Sequence, residues 1–149
     1  MPPPVMLLSM VLIGLCIWAS YIDLTQFRIP DSANIAVFAV GVIAIAWIDL
    51  SLLPSHLIAS ILTLTVFWLA GEILFRIART DMLGAGDAKL LGAAVMWGGI
   101  WGLPSLLLVA ATTGIAYALL ARRQAKRVPF APFICLGLLT IWFYGPIRV

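Results

Sequence analysis

The chain has 149 residues, 64% of them hydrophobic and 10% charged, with nine Lys and Arg against six Asp and Glu and a mean hydropathy of +1.14. An ordinary soluble domain is about 45–50% apolar and about 25% charged, so these proportions are those of a membrane protein. A membrane helix takes about 20 apolar residues, and a bundle of about six leaves too little chain for a nucleotide-binding lobe, a periplasmic module or a catalytic domain outside the bilayer.

In chain order, the opening Met-Pro-Pro-Pro carries no basic residue, and the apolar run behind it is too long for a signal-peptide core. It reads as the first span. Apolar runs bounded by charge or proline place spans at 5–22, 32–48, 55–75, 88–102, 105–121 and 131–146. The expected fold is an all-α polytopic membrane helix bundle, a single domain over 1–149. Pro104, in Trp101-Gly-Leu-Pro, argues for a tight reversal between the fourth and fifth spans; one kinked helix, with five spans in all, is the alternative. The first loop holds Arg28, the third Arg76, Arg79 and Lys89, and the fifth Arg122, Arg123, Lys126 and Arg127. The second and fourth loops hold no basic residue. By the positive-inside rule the odd loops are cytoplasmic and both termini face outside. Trp47, Trp97, Trp101 and Trp142 fall near outer span ends and Trp18 near an inner one, where interface-seeking aromatics belong.

The formal charge of +3 therefore orients the chain and meets anionic lipid head groups, and nucleic-acid binding is not expected. The basic run at 122–127 reads as a topology anchor. Cys16 and Cys135 lie in separate apolar runs without a CxxC spacing and read as small buried hydrophobes. His56 stands on the outer side with no metal set around it, so neither a metal nor another cofactor is expected.

Ionisable groups near a bilayer are costly and mark function, so each of the six acids needs a reason. Asp31, after Pro30, reads as a cap on the second span. Asp49 reads as a solvated residue of the outer second loop. Glu72 stands four residues before Arg76, a favourable ion-pair order. Asp81 reads as a loop residue or a cap. Asp23 ends the first span and Asp87 begins the fourth, in loops of the same parity. Topology thus puts both at the cytoplasmic membrane face. Two carboxylates brought together share one proton, and the pair then suits aspartyl proteolysis: one acid polarises a carbonyl while its ionised partner takes a proton from water. Before Asp87 stand Gly84 and Gly86, which let backbone or substrate approach closely, although glycine pairs also serve helix packing. Asp23 sits at a helix carboxyl end and Asp87 at an amino end, so the macrodipole argument gives the shared proton to Asp23 and the role of base to Asp87.

Three segments carry a resemblance. Asp23-Leu-Thr-Gln-Phe-Arg-Ile-Pro-Asp31, Gly84-Ala-Gly-Asp-Ala-Lys-Leu90 and Pro129-Phe-Ala-Pro-Phe133 resemble, in order and spacing, the motifs of the type IV prepilin leader peptidases, the bacterial GxGD-type membrane aspartyl proteases. The resemblance implies that Asp23 and Asp87 are the catalytic pair and that Gly84 and Gly86 shape a substrate-binding strip before the second. It also implies a prepilin substrate with a short basic leader, cut at the cytoplasmic face of the bacterial inner membrane. Asp31 stands where the family usually has Asn. Lys89 matches a motif position and reads as an anchor to phosphate head groups, with pairing to a carboxylate as the alternative. Larger family members carry an amino-terminal zinc loop and an amine-methylating activity with no counterpart here, so the chain is similar to the short, peptidase-only form of tight-adherence (Flp-type) pili and methylation is not expected. The basic leader is expected along the acidic side formed by Asp23, Asp31 and Asp81. Two other classes stay open: a small cation- or proton-coupled transporter, whose carboxylates belong nearer the midplane, and a non-catalytic assembly subunit of a secretion machine.

Overall fold

In lipid every backbone N–H and C=O must be satisfied within its own segment, which makes uninterrupted apolar runs helical. The computed structural model describes residues 3–79, 84–120 and 128–145, and among them every regular element is a helix. The helices are α1 (Pro3–Gln26), α2 (Asp31–Ile48), α3 (Leu53–Ala78), α4 (Ala85–Leu120) and α5 (Ala131–Tyr144), with a 3-10 turn at Leu50–Leu52 before α3. Helices α1 to α4 are long and apolar enough to cross a membrane. The basic run at 122–127, Asp81 and the chain ends lie outside the described residues.

The helix ends follow from local chemistry. Proline cannot continue a helix upstream, so Ile29-Pro30 is an extended link and α2 starts behind it, with the Pro30 carbonyl accepting from Ala33 (3.1 Å). Helix α1 ends with Phe27 in the left-handed region (φ 51°), its N–H donating to the Asp23 carbonyl (2.8 Å). Asp49 accepts from the Ser51 N–H (2.9 Å) and hydroxyl (2.7 Å), which holds its carboxyl below the usual range. It therefore builds the turn before α3 as well as facing solvent.

Helix α4 covers the expected fourth and fifth spans. It is 36 residues long, and its one interior residue with non-helical angles is Gly99 (φ 61°, ψ −168°). A straight helix would hold residues 87 and 114 about 40 Å apart at 1.5 Å per residue, yet Asp87 and Gly114 line one cavity. The helix therefore doubles back at Gly99 into two antiparallel legs, 85–98 and 100–120. The expected reversal exists, but its site is corrected from Pro104 to Gly99. The angles at Gly99 belong to a region open to glycine alone. Pro104 is the fifth residue of the second leg, which runs on through it at the cost of one backbone hydrogen bond and does not reverse there. His56 completes the turn: its Nδ1 donates to the Met96 carbonyl (2.9 Å), which the break deprives of a helical partner. His56, which the sequence marked only as lacking a metal set, thus has a structural role.

Around this hairpin the other helices pack through small residues. A Cβ on Gly137 of α5 would lie 2.7 Å from the Leu106 carbonyl oxygen, so α5 and the second leg touch backbone to backbone. Trp97 is buried and donates to the Val37 carbonyl (3.0 Å), edge-on to Trp142 at 5.0 Å between ring centres, and Trp142 donates to the Ser9 hydroxyl (2.8 Å). These two indoles fasten the bundle and do not seek the membrane interface, whereas Trp47 and Trp101 are exposed.

Candidate active site

Helix α1 turns Ser9, Leu12, Cys16, Ala19 and Asp23 inward, a stripe at helical spacing. The last of these is a carboxylate, only 5% exposed. Its Oδ2 accepts the backbone N–H of Ala131, the first residue of α5, at 2.9 Å. The third motif segment explains why that N–H is free: Pro132 sits in the first turn of α5, and first-turn N–H groups have no intrahelical partner. Asp23 thus stands at the carboxyl end of α1 and also at the amino end of α5.

Asp87 lies in the first turn of α4. The Gly84 carbonyl accepts from the N–H groups of Asp87 (3.0 Å) and Ala88 (3.2 Å) and starts the helix. The Asp87 carboxylate folds back over Gly84, where a Cβ would meet Oδ2 at 3.1 Å. Gly86 faces the other way: a Cβ there would lie 3.3 Å from the Ile29 Cβ, so Gly86 seats α4 against the link before α2. Of the two glycines, Gly84 is beside the acid and Gly86 is engaged in packing.

The two carboxylates are close enough to interact electrostatically. They also reach the same short stretch of chain. Asp23 holds Ala131, while Asp87 lines a cavity of about 330 Å³ with Phe67, Leu91, Leu107, Gly114, Phe130 and Ile134. Apart from the acid, this chamber is built from apolar side chains and glycine. A smaller cavity of about 240 Å³ runs past Gly84 and Ala85 and is walled by Trp68, Glu72 and Phe75 of α3.

The remaining acids fall elsewhere. Asp31 makes no capping bond; Pro30 is the cap residue, and the Asp31 carboxylate pairs with Lys89 Nζ at 2.7 Å. That contact corrects the capping role given to Asp31 and gives Lys89 a carboxylate partner, with both side chains still partly exposed. Glu72 accepts from Arg76 Nε at 2.9 Å, as the spacing implied, and both side chains are exposed. The expected acidic side does not form from Asp23 and Asp31, since one is buried on α5 and the other faces Lys89. Besides Asp87, Glu72 lines the cavity that runs past Gly84. Among the described residues no three His, Cys, Asp or Glu side chains converge in a metal-binding group.

Residues 10–119, which contain Asp23, Asp87 and the α4 hairpin, match the sequence profile of the type IV leader peptidase family. The chain belongs to the type IV leader peptidase family. It is 34% identical over 134 residues to the type 4 prepilin-like proteins leader peptide-processing enzyme of Escherichia coli O78:H11 (strain H10407 / ETEC), covering 86% of this chain and 48% of that protein. It is 30% identical over 135 residues to the prepilin leader peptidase/N-methyltransferase of Dichelobacter nodosus, covering 90% and 46% respectively. A protein of the same name from Escherichia coli (strain K12) is 32% identical over 122 residues, 79% of this chain and 54% of that protein. The chain thus spans about half the length of the curated relatives it matches. No solved structure matches the chain significantly.

Within this leader peptidase fold, the residue that sequence reasoning missed is Ala131, whose contribution is a backbone N–H. Pro132 was its available signal, because a proline inside a first helical turn marks the neighbouring N–H groups as free.

Proposed function

We propose that this leader peptidase family member is an aspartyl endopeptidase that removes the short basic leader from a prepilin at the cytoplasmic face of the bacterial inner membrane, with Asp23 and Asp87 as its catalytic pair. The observation that carries the reading is the convergence of these two acids, from helices far apart in sequence, on the start of α5 beside an apolar chamber. The orientation rests on charge: Arg28, Arg76, Arg79 and Lys89 all belong to the aspartate end of the bundle. With the α4 hairpin counted as two legs, the chain crosses six times and both termini lie outside.

In this mechanism the apolar helix of the precursor lies against the chamber, and its junction with the leader unwinds over Gly84. Asp23 accepts the Ala131 N–H at the positive end of α5, and both features suit an ionised carboxylate. Asp23 is then the base and Asp87 carries the shared proton, the reverse of the assignment from α1 and α4 alone. Asp23 takes a proton from water as the oxygen attacks the scissile carbonyl, and Asp87 gives its proton to the carbonyl oxygen. The tetrahedral intermediate collapses with cleavage of the C–N bond, Asp23 giving its proton to the leaving amine while a hydroxyl of the intermediate returns one to Asp87. Because the acids titrate as a pair, this describes one microstate of the dyad.

The test is direct. Purified protein is mixed with a prepilin in detergent and the shorter product is followed by mass spectrometry. Asp23→Asn and Asp87→Asn, folded to wild-type levels, are each expected to lower the rate by at least about 1,000-fold, in the range seen when one member of a catalytic unit is removed. Cleavage by either variant at near wild-type rate would refute the assignment.

A further inference from the structure

A second chamber lies on the opposite side of the first leg of α4. Asp87 and Lys89 are two residues apart on one helix, so they project about 200° from each other. Lys89 lines a groove of about 380 Å³ with Asp31, Asn34, Phe38, Ile61 and Leu64, between α2 and α3. Ile35 and Ile61, on its rims, are 66% and 60% exposed, so the groove opens away from the bundle. In a membrane protein that opening faces acyl chains.

Two features of the groove are polar. At its cytoplasmic-end mouth sits the exposed Asp31–Lys89 ion pair, with Arg28 near enough to act on Asp31. Two cations against one carboxylate leave this mouth with one net positive charge. About one helical turn deeper is Asn34, only 5% exposed, and neither its Nδ2 nor its Oδ1 has a hydrogen-bond partner among the described residues. A buried primary amide left unpaired on both atoms is costly. Its neighbour in the groove wall, Ser60, is already bound to the Gly92 carbonyl (2.7 Å) and does not serve it.

We infer that this groove is a binding site for one anionic glycerophospholipid with a glycerol head group. Its phosphate sits over Lys89 and Arg28, head-group hydroxyls donate to Asp31, and a glycerol-ester carbonyl accepts from Asn34 Nδ2. One acyl chain lies along Phe38, Ile61 and Leu64. The ligand follows from the order of chemistry down the groove: net positive charge at the mouth, a donor and an acceptor one turn below, then hydrocarbon. That is the order of groups in such a lipid read from the membrane surface inward. The site does not depend on the peptidase reading, because it shares no side chain with the Asp23–Asp87 pair.

Native mass spectrometry of the full chain in detergent, titrated with palmitoyl-oleoyl phosphatidylglycerol, phosphatidylethanolamine and phosphatidylcholine, tests it. The expected result is one retained phosphatidylglycerol, at several-fold higher affinity than the other two lipids. Asn34→Leu is expected to weaken retention about five- to tenfold, the loss of one hydrogen bond. Ile35→Trp, which lays an indole across the groove from an exposed position, should abolish it, while Ile43→Trp at an exposed site elsewhere on α2 should not. Equal retention of all three lipids, or of phosphatidylglycerol by Asn34→Leu and Ile35→Trp alike, would overturn the inference. So would a photocrosslinker at position 35 that captures prepilin in place of lipid.

Discussion

Gly99 is the residue on which the shape of the site turns, and replacing it with alanine isolates the cause. At φ 61° and ψ −168° a side chain meets its own backbone, at about 1–3 kcal/mol for a residue held in such a region. The new Cβ would also lie 3.0 Å from His56 Nε2 and 3.2 Å from Cδ2. Moving that ring loosens its bond to the Met96 carbonyl, about another 1 kcal/mol. The sum is about 2–4 kcal/mol, or on the order of 5–10 °C in melting temperature for a chain of this size. Thermal unfolding in detergent, followed by circular dichroism, measures it. His56→Ala removes the steric part, so the double variant Gly99→Ala, His56→Ala should lose less than the two single losses added together. Pro104→Ala is the control and should melt no lower than the wild type, since alanine returns a backbone donor to the second leg. A Gly99→Ala protein that melts with the wild type, together with a Pro104→Ala protein that melts lower, would show that the reversal is made at Pro104 and not at Gly99.

Two further outcomes follow from the site. In infrared difference spectra the protonated-carboxyl C=O band should vanish in Asp87→Asn and persist in Asp23→Asn; the opposite pattern would return the proton to Asp23. A Cβ at Gly114 meets Phe133 Cδ2 at an ordinary 3.4 Å, so Gly114→Ala should fold and cleave normally. Gly114→Leu fills the apolar chamber and should raise KM for prepilin about tenfold or more with kcat little changed, in peptide-cleavage kinetics. A loss confined to kcat would place the precursor elsewhere.

How much of this was readable beforehand depends on what the surroundings reward. Helix positions were legible because long apolar runs have one stable solution in lipid, and the expected spans overlap α1, α2, α3, both legs of α4, and α5. Inner and outer faces were not, because lipid is as apolar as a core and no amphipathic stripe separates them. On α1 the buried face holds Ser9, Cys16 and Ala19 while Met6, Leu7, Met10 and Ile17 face outward. Small residue size, not hydrophobicity, marks the packed side. The reversal in α4 was mislocated for a related reason. Proline is a general breaker, but the second leg runs on through Pro104, whereas Gly99 among Gly92, Gly98 and Gly102 gave no local sign that it alone adopts the forbidden angles.

The same logic separates what was legible in the site from what was not. Loop parity assigned Asp23 and Asp87 to one end of the bundle, because topology acts on whole spans and needs no side-chain detail. Their charge states depend on that detail. A macrodipole argument that gives each acid one helix leaves out that Asp23, which ends α1, also receives the first N–H of α5, 2.9 Å away and from the far end of the chain. A helix terminus acts on whatever acid lies nearest in space. The Pro129–Phe133 segment is therefore more than the opening of a last span: by fixing where α5 starts, it determines which aspartate the positive helix end faces. Any change that shifts that start by one residue, such as moving Pro132 along the chain, should exchange or abolish the distinction between the two acids while leaving the bundle intact.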